Sequence, residues 1–406
     1  MQTKIPPEQL ATSIGSEADA ILRSCVHCGF CTATCPTYQL LGDELDGPRG
    51  RLYLIKEMME NNRASKTTLE HLDRCLNCRS CETTCPSGVT YAHLLESGKA
   101  MAESMVQRPL KQRLLRQLML KILPFPHRFS LLLSIGRVVR PLLPDALGKK
   151  IPDRRPVQTV QPIKRQRKVL LIEGCVQPAL APATDVAAIR LLDTLNIETI
   201  GTGMAQCCGA IEHHLGDTNA SLDRIRANID LWLPMLDNGA EAIISTASAC
   251  ALEIKEYGYL LRHDEIYAEK AARISHAARD IAEIVHTEDL SPFKRSDGKR
   301  IAFQSPCTLQ HGQKLSGMVE EILTRIGYEL TPVANAHLCC GSAGTYSILQ
   351  PEISSELRDN KLAALTSGSP ELIATANVGC QNHLQSASNI SVIHWTELLT
   401  EEITNG

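Results

Sequence analysis

The sequence predicts a multidomain α+β chain: a mainly helical, cysteine-rich N-terminal domain, then two repeated α/β domains. Three features carry this reading. Eight of the sixteen cysteines fall between Cys25 and Cys85, in two runs of identical spacing. A cysteine-free, strongly basic stretch follows. The other eight cysteines return after residue 169 as two sets of four that match each other in spacing and in flanking sequence. The expected domains are 1–103, a basic helical segment and linker over 104–168, and α/β units over 169–292 and 293–406.

The bulk composition sets outer bounds. The chain has 406 residues, 43% hydrophobic and 21% charged, as expected of a globular protein. Aromatic content is 4% and net charge −3. That combination argues against a nucleic-acid partner, which needs stacking platforms or a basic surface. The N-terminus, MQTKIPPEQL, lacks the apolar core of a secretory signal, and no run of eighteen apolar residues marks a membrane span. A cytoplasmic location is expected, where thiols stay reduced. Cysteines in this number then read as metal ligands rather than as a disulfide framework.

The N-terminal runs are Cys25-Val-His-Cys28-Gly-Phe-Cys31-Thr-Ala-Thr-Cys35-Pro36 and Cys75-Leu-Asn-Cys78-Arg-Ser-Cys81-Glu-Thr-Thr-Cys85-Pro86. Each is C-x2-C-x2-C-x3-C-P, the bacterial ferredoxin signature, in which the fourth cysteine of each run ligates the other cluster. Two [4Fe–4S] clusters are therefore expected, one on Cys25, Cys28, Cys31 and Cys85, the other on Cys75, Cys78, Cys81 and Cys35. The close triad wraps three corners of a cubane in one loop, and the fourth corner comes from a residue held at a distance. Four-cysteine zinc is the competing chemistry; two complete runs, each closed by its proline, favour iron. The forty positions from Cys35 to Cys75 include an amphipathic helix over Arg51–Glu60. Two residues inside the loops stand out: His27 reads as a solvent-facing side chain, with tuning of a cluster potential as its alternative, and Arg79 reads equally as a partner-docking residue or a plain surface charge.

The C-terminal half is an internal repeat. Cys175 and Cys207 lie 32 positions apart, as do Cys307 and Cys339. Each second cysteine opens a triplet, Cys207-Cys208-Gly209 and Cys339-Cys340-Gly341, and a last cysteine follows at Cys250 and Cys380. In the first unit, Val169–Ile172, Glu198–Ile200 and Ala242–Ser245 read as strands and Pro182–Leu195 as a helix. Strand–helix–strand at this spacing predicts parallel α/β sheets, with each cysteine just past a strand, where such sheets place ligands. The candidate additional sites are Cys175, Cys207, Cys208 and Cys250, and Cys307, Cys339, Cys340 and Cys380. Metal ligation, a redox dithiol and buried structural thiols all fit adjacent cysteines. His213, His214 and His383 lie near enough in sequence to be further ligands or ordinary histidines.

Between the halves, Gln107–Lys168 carries sixteen Lys and Arg against Asp145 and Asp153. That is a net +14, so the remainder of the chain carries −17. Leu110–Ile135 alternates leucines with basic residues at helical spacing, and Ile151–Ile163 is a Pro-rich tether. Helices packed on neighbouring domains, or a docking face for a partner or for anionic lipid, are the two readings.

Two ferredoxin runs followed by two Cys-Cys-Gly units resemble the iron–sulfur subunits of membrane-associated dehydrogenases. These include the glycolate oxidase iron–sulfur subunits, the anaerobic glycerol-3-phosphate dehydrogenase C subunits, lactate-utilisation proteins and heterodisulfide reductases. The likeness spans nearly the whole chain and is strongest to the glycolate oxidase group. It is carried by the first cysteine run with its continuation Thr37-Tyr-Gln-Leu-Leu-Gly-Asp-Glu-Leu-Asp-Gly-Pro-Arg-Gly50, by Leu338-Cys-Cys-Gly-Ser-Ala-Gly-Thr-Tyr346, and by Thr375-Ala-Asn-Val-Gly-Cys380-Gln. One departure stands out: where the fullest family pattern ends each repeat in C-x2-C, this chain has Ala247 and Asn377 at the first of those positions. A non-cubane cluster, a smaller cluster, a zinc or a metal-free thiol site stay open there.

The nearest approach to a dinucleotide fingerprint, Gly201-Thr-Gly203-Met-Ala-Gln206, lacks the third glycine, and no nucleophile constellation is present. The resemblance implies FAD-containing partner subunits that oxidise glycolate to glyoxylate, with this chain passing electrons onward to a quinone or other membrane acceptor; the basic middle region predicts a peripheral position on the inner face of the cell membrane. The resemblance also implies an oxidoreductase subunit for a CH–OH donor and a non-NAD acceptor, not catalytic alone. Lactate and glycerol-3-phosphate systems, and a heterodisulfide-reductase-like catalytic role, are the alternatives.

Overall fold

The computed structural model describes residues 1–142, 148, 151–153, 157, 160–201 and 207–400. Thr202–Gln206, most of the near-fingerprint, and Asp145 with four basic residues of the middle region lie outside these.

Burial follows the sequence periodicity. In the N-terminal domain, Ser13–Ser24, Pro48–Asn61, Lys66–Asp73 and Tyr91–Met105 are the main helices. Their apolar faces meet in one core of Leu22, Ile55, Met58, Leu72 and Leu95, and the cysteine loops pack on its rim. The amphipathic helix expected over Arg51–Glu60 is the inner part of Pro48–Asn61, begun by a proline in its first turn. Gly98 lets Tyr91–Met105 cross Pro48–Asn61 closely, since a Cβ there would sit 2.7 Å from the Ile55 side chain.

Each α/β unit holds a four-stranded parallel sheet. In the first, β1 (Arg167–Ile172), β2 (Ile197–Gly201), β3 (Ile243–Ser245) and β4 (Ala278–Asp280) are arranged β2-β1-β3-β4. In the second, β5 (Arg300–Gln304), β6 (Glu329–Leu330), β7 (Leu372–Thr375) and β8 (Val392–His394) repeat that order as β6-β5-β7-β8. Leu170 pairs with Ile200 on one side and Ile243 on the other, and Ala302 with Ile373 in the equivalent place. Central strands buried on both faces account for the unbroken apolar runs read from the sequence.

The two units are reciprocally packed. Helix Pro182–Thr194 of the first lies on Trp395–Thr400 of the second, and Ile281–His286 of the first on Met318–Arg325 of the second. A single core runs through both, from Val169 and Leu191 to Phe303 and Trp395. The basic segment forms two helices, Leu110–Ile122 and Pro126–Val139, with an interhelix bend of 111° at Leu123–Phe125. No single helix among the described residues is long and apolar enough to cross a membrane.

Candidate metal centres

The two N-terminal loops are built alike. Cys25 ends helix Ser13–Ser24 and Cys75 follows helix Lys66–Asp73. In each loop the third and fifth residues take left-handed backbone: His27 and Gly29 in the first (φ 60 and 82), Asn77 and Arg79 in the second (φ 52 and 58). Such alternation turns successive amide N–H groups toward one concavity, an anion-binding nest suited to sulfide and thiolate. Cys35 then caps helix Pro36–Leu41 and Cys85 closes helix Ser80–Thr84, so each fourth cysteine is presented by a short rigid element.

These loops enclose two adjacent cavities. One is lined by Cys25, Cys28, Cys31 and Cys85, and also by Cys81. The other is lined by Cys35, Cys75, Cys78 and Cys81. Four sulfurs around an enclosed space fit the donor set of a cubane cluster. Burial, then the neighbouring Cys25, pushes the Cys31 thiol up to about 11. Burial raises the Cys78 and Cys81 thiols as well. Such crowded thiols give up protons only to a compensating cation, which a metal centre provides.

The surroundings of the two cavities differ. Cys28 is exposed, and His27, of intermediate exposure, leans on the exposed Tyr53 with its Nδ1 3.3 Å from the Tyr53 hydroxyl. The second cavity is deep and polarised. Arg51 lines it at 1% exposure, donating to the His71 carbonyl (2.7 Å) and the Thr37 hydroxyl (3.2 Å), with Asp46 at 3.4 Å. The Thr37 hydroxyl lies 3.3 Å from Cys35 Sγ, and the Tyr91 hydroxyl donates toward Cys75 Sγ at 3.7 Å. No local pattern in the sequence marks Arg51 as interior.

In the α/β units, each Cys-Cys-Gly triplet sits at a tight turn that only glycine suits. Gly209 and Gly341 have φ of 98 and 87, and a Cβ on Gly341 would stand 2.5 Å from the Ser354 carbonyl. Equivalent serines hold the two turns: Ser221 donates to the Gly209 carbonyl and Ser354 to that of Gly341. The last cysteine of each set occupies the first turn of a helix, Cys250 in Ser248–Lys255 and Cys380 in Val378–Gln385. Ala247 and Asn377, the positions where the fuller pattern has cysteine, are the residues that precede these helices, and the Asn377 amide donates toward Cys380 Sγ at 3.6 Å.

Within each set the thiols touch in sequence. Cys307 Sγ is 3.9 Å from Cys339 Sγ, Cys339 meets Cys340, and Cys340 meets Cys380. Cys175, Cys207, Cys208 and Cys250 make the same chain. The hydrogen bond between Cys175 and Cys207 raises the first thiol and lowers the second. Glu212 reaches to 3.7 Å from Cys207; burial, then that thiol, pushes its carboxyl up to about 7 despite Arg224. Both sets, together with Cys75 and His214, line one shared cavity of about 230 Å³. A larger cavity of about 600 Å³ under the basic segment contains no cysteine and carries no comparable chemistry.

The second α/β set also adjoins the N-terminal domain. Cys78, Leu76, Cys339, Tyr346 and Cys307 pack in one cluster, and the Tyr346 hydroxyl donates to the Arg74 carbonyl at 2.9 Å. Arg79 is neither a docking residue nor a surface charge. Its guanidinium pairs with Glu256 at 2.6 Å, and Glu256 also accepts from His93 at 2.9 Å, which ties the second cysteine loop to the first α/β unit. His213 serves the same interface, between Glu96 (3.3 Å) and Glu253 (2.9 Å). Burial alone would depress it, but the two carboxylates hold it up at about 10. His383 contacts the hydroxyl and carbonyl of Ser354, at 3.1 and 3.2 Å.

Comparison with known proteins agrees with this anatomy. The 4Fe-4S dicluster domain family matches residues 21–89, and the cysteine-rich domain family matches 169–255 and 301–385. The chain is 50% identical to the glycolate oxidase iron-sulfur subunit of Escherichia coli (strain K12) over 408 residues, 99% of each chain. It is 28% identical to the probable glycolate oxidase iron-sulfur subunit of Bacillus subtilis (strain 168) over 94% of each. Lactate utilization protein A of Bacillus licheniformis is 26% identical over 242 residues, 57% of this chain and 98% of that one. With paired cysteine loops, a duplicated Cys-Cys-Gly unit and a full-length relative at half identity, the chain belongs to the glycolate oxidase iron–sulfur subunit family.

Proposed function

We propose that this chain is the electron-relay subunit of a glycolate-oxidising complex. The observation that carries the relay is the packing of Cys78 against Cys307 and Cys339. It joins the buried second loop to the second α/β thiol set, and Cys81, which lines both N-terminal cavities, connects the first loop to the second. Glycolate as the donor rests on the relative that shares half its residues with this chain.

In this reading Cys25, Cys28, Cys31 and Cys85 hold one [4Fe–4S] cluster, and Cys75, Cys78, Cys81 and Cys35 the other. The crossed sets are supported by the cavities they line. Bound there, such clusters supply one-electron acceptance and release. The protein's own part is to orient and insulate. The nests direct amides inward, Arg51 and the Tyr91 hydroxyl polarise the deeper set, and the α/β units seal Cys78 from solvent. Cys175, Cys207, Cys208 and Cys250, and Cys307, Cys339, Cys340 and Cys380, are further metal sites on the same donor-set argument. The domains follow the limits 1–103, 104–168, 169–292 and 293–406.

Oxidation of glycolate to glyoxylate releases two electrons and two protons. The near-fingerprint Gly201-Thr-Gly203-Met-Ala-Gln206 lacks its third glycine, and in this reading FAD-containing partner subunits take the pair and this chain receives electrons singly. A quinone or similar membrane acceptor takes them from the chain, held at the inner membrane face. The test is Cys78→Ser in the purified complex. Glycolate-to-acceptor turnover should fall at least tenfold while flavin reduction by glycolate persists; full turnover would sink the relay.

A second reading draws on the shared cavity. Two thiol quartets facing one space favour redox chemistry in the α/β half itself, as a catalytic subunit would need. Disulfide-reductase activity in the isolated chain, lost in Cys339→Ser, would support it over a pure relay.

A further inference from the structure

The bent helix pair Leu110–Ile122 and Pro126–Val139 shows its apolar side to solvent. On the first helix Leu110, Leu114 and Leu118 recur every fourth residue and are all exposed, while Met119, on the opposite side, is the buried contact with the body. On the second, Leu131, Ile135 and Val138 form the outward stripe, Leu131 at 65% and Val138 at 80% exposure. Arg137, facing inward, donates to the Ala179 carbonyl at 3.1 Å. In a helix resting on a protein core the pattern runs the other way.

Charge flanks the first stripe. Lys111 and Arg113 stand at its two edges and Lys121 within it, all exposed and with no carboxylate partner among the described residues. From Gln107 to Leu142 there is no acidic residue at all. The inward cations are already committed, Arg108 and Arg116 to Asp73. Each helix is about 20 Å long, too short for a hydrocarbon core of about 30 Å. The exposed apolar side chains are chiefly Leu, Ile and Val, whereas protein interface cores favour aromatics.

We propose that this helix pair is an in-plane anchor for an anionic lipid surface, its aliphatic stripes seated among acyl chains and Lys111, Arg113 and Lys121 at the headgroups. This gives the peripheral location proposed above a residue-level site. It stands apart from the relay, since no cysteine takes part. Aliphatic burial and basic attraction are the two signals a stable peripheral anchor requires.

The test is co-sedimentation of the purified full chain with vesicles of phosphatidylglycerol and phosphatidylcholine, against phosphatidylcholine alone. Binding should need the anionic lipid and weaken with salt. Each cation near the surface contributes about fivefold, so Lys111→Gln/Arg113→Gln/Lys121→Gln should bind roughly 100-fold more weakly. Leu114→Gln/Leu118→Gln/Leu131→Gln should lose at least tenfold. Both variants should keep the iron content and visible spectrum of the parent, because the altered side chains touch no core. Failure of the parent chain to bind anionic vesicles would overturn the proposal. So would unchanged binding by the charge variant, or a soluble dimer that the leucine changes abolish while vesicles stay unbound. None of those outcomes touches the relay, which Cys78→Ser tests separately.

Discussion

Arg51 is the residue whose removal should speak most clearly about the deeper cysteine cavity. It is a fully buried guanidinium on the wall shared with Cys35 and Cys75. Its carboxylate neighbour, Asp46, is also held by Arg74 (2.9 Å) and His71 (2.9 Å). A unit charge about 6 Å from a bound group, at an effective dielectric of about 20, contributes about 3 kcal/mol. Asp46 offsets roughly half, leaving ~1.5 kcal/mol, or ~60 mV for a one-electron couple. The sign follows from charge: reduction adds an electron, so the guanidinium favours the reduced form and its loss lowers the potential. Arg51→Met should therefore shift one cluster down by about 60 mV in an EPR-monitored redox titration, with Arg51→Lys largely restoring it. The more exposed cluster should stay within about a third of that shift, since it lies farther from the charge. Asp46 retains Arg74 as an ion-pair partner and His71 as a hydrogen-bond partner, so the fold should lose less than the ~3–5 kcal/mol of a broken buried pair. Equal shifts in both clusters, or none in either, would refute the assignment of Arg51 to the second site.

Other consequences are simpler. Gly341→Ala places a Cβ against the Ser354 carbonyl at positive φ, and should cost about 2–4 kcal/mol in denaturant unfolding; Gly298→Ala, also at positive φ but in open space, should cost only about 1 kcal/mol. His213 is held protonated up to about 10, above its unfolded value. Its stabilisation is complete below about pH 6.5 and is lost as pH rises toward 10, so the thermal midpoint should decline across that window, with the slope reduced in His213→Gln. Arg79→Gly relieves a left-handed arginine but removes the Glu256 pair; limited proteolysis between the N-terminal domain and the first α/β unit should accelerate.

Much of this was legible in the sequence because the relevant signals are local. The two C-x2-C-x2-C-x3-C-P runs located both loops, and the 32-position spacing located two equivalent units. The strands expected at Val169–Ile172, Glu198–Ile200 and Ala242–Ser245 form within two residues of those limits. The rest depends on packing across long separations. Arg79 meets Glu256 and Tyr346 meets Arg74, contacts 177 and 272 positions apart. No periodicity encodes them. Arg51 opens the expected amphipathic stretch, and the segment carrying Asp46 packs against that helix and takes the guanidinium inside. The convergence of both thiol quartets on one cavity comes from the reciprocal packing of the two units, which a repeat in sequence implies only as two separate sites.

The relay is tested most directly by metal analysis and low-temperature EPR of the anaerobically purified chain, reduced with dithionite. The account predicts at least about eight irons per chain and a spin-coupled pair of reduced cluster signals, collapsing to a single uncoupled signal in Cys78→Ser. Zinc in place of iron, with no reduced signal, would contradict it.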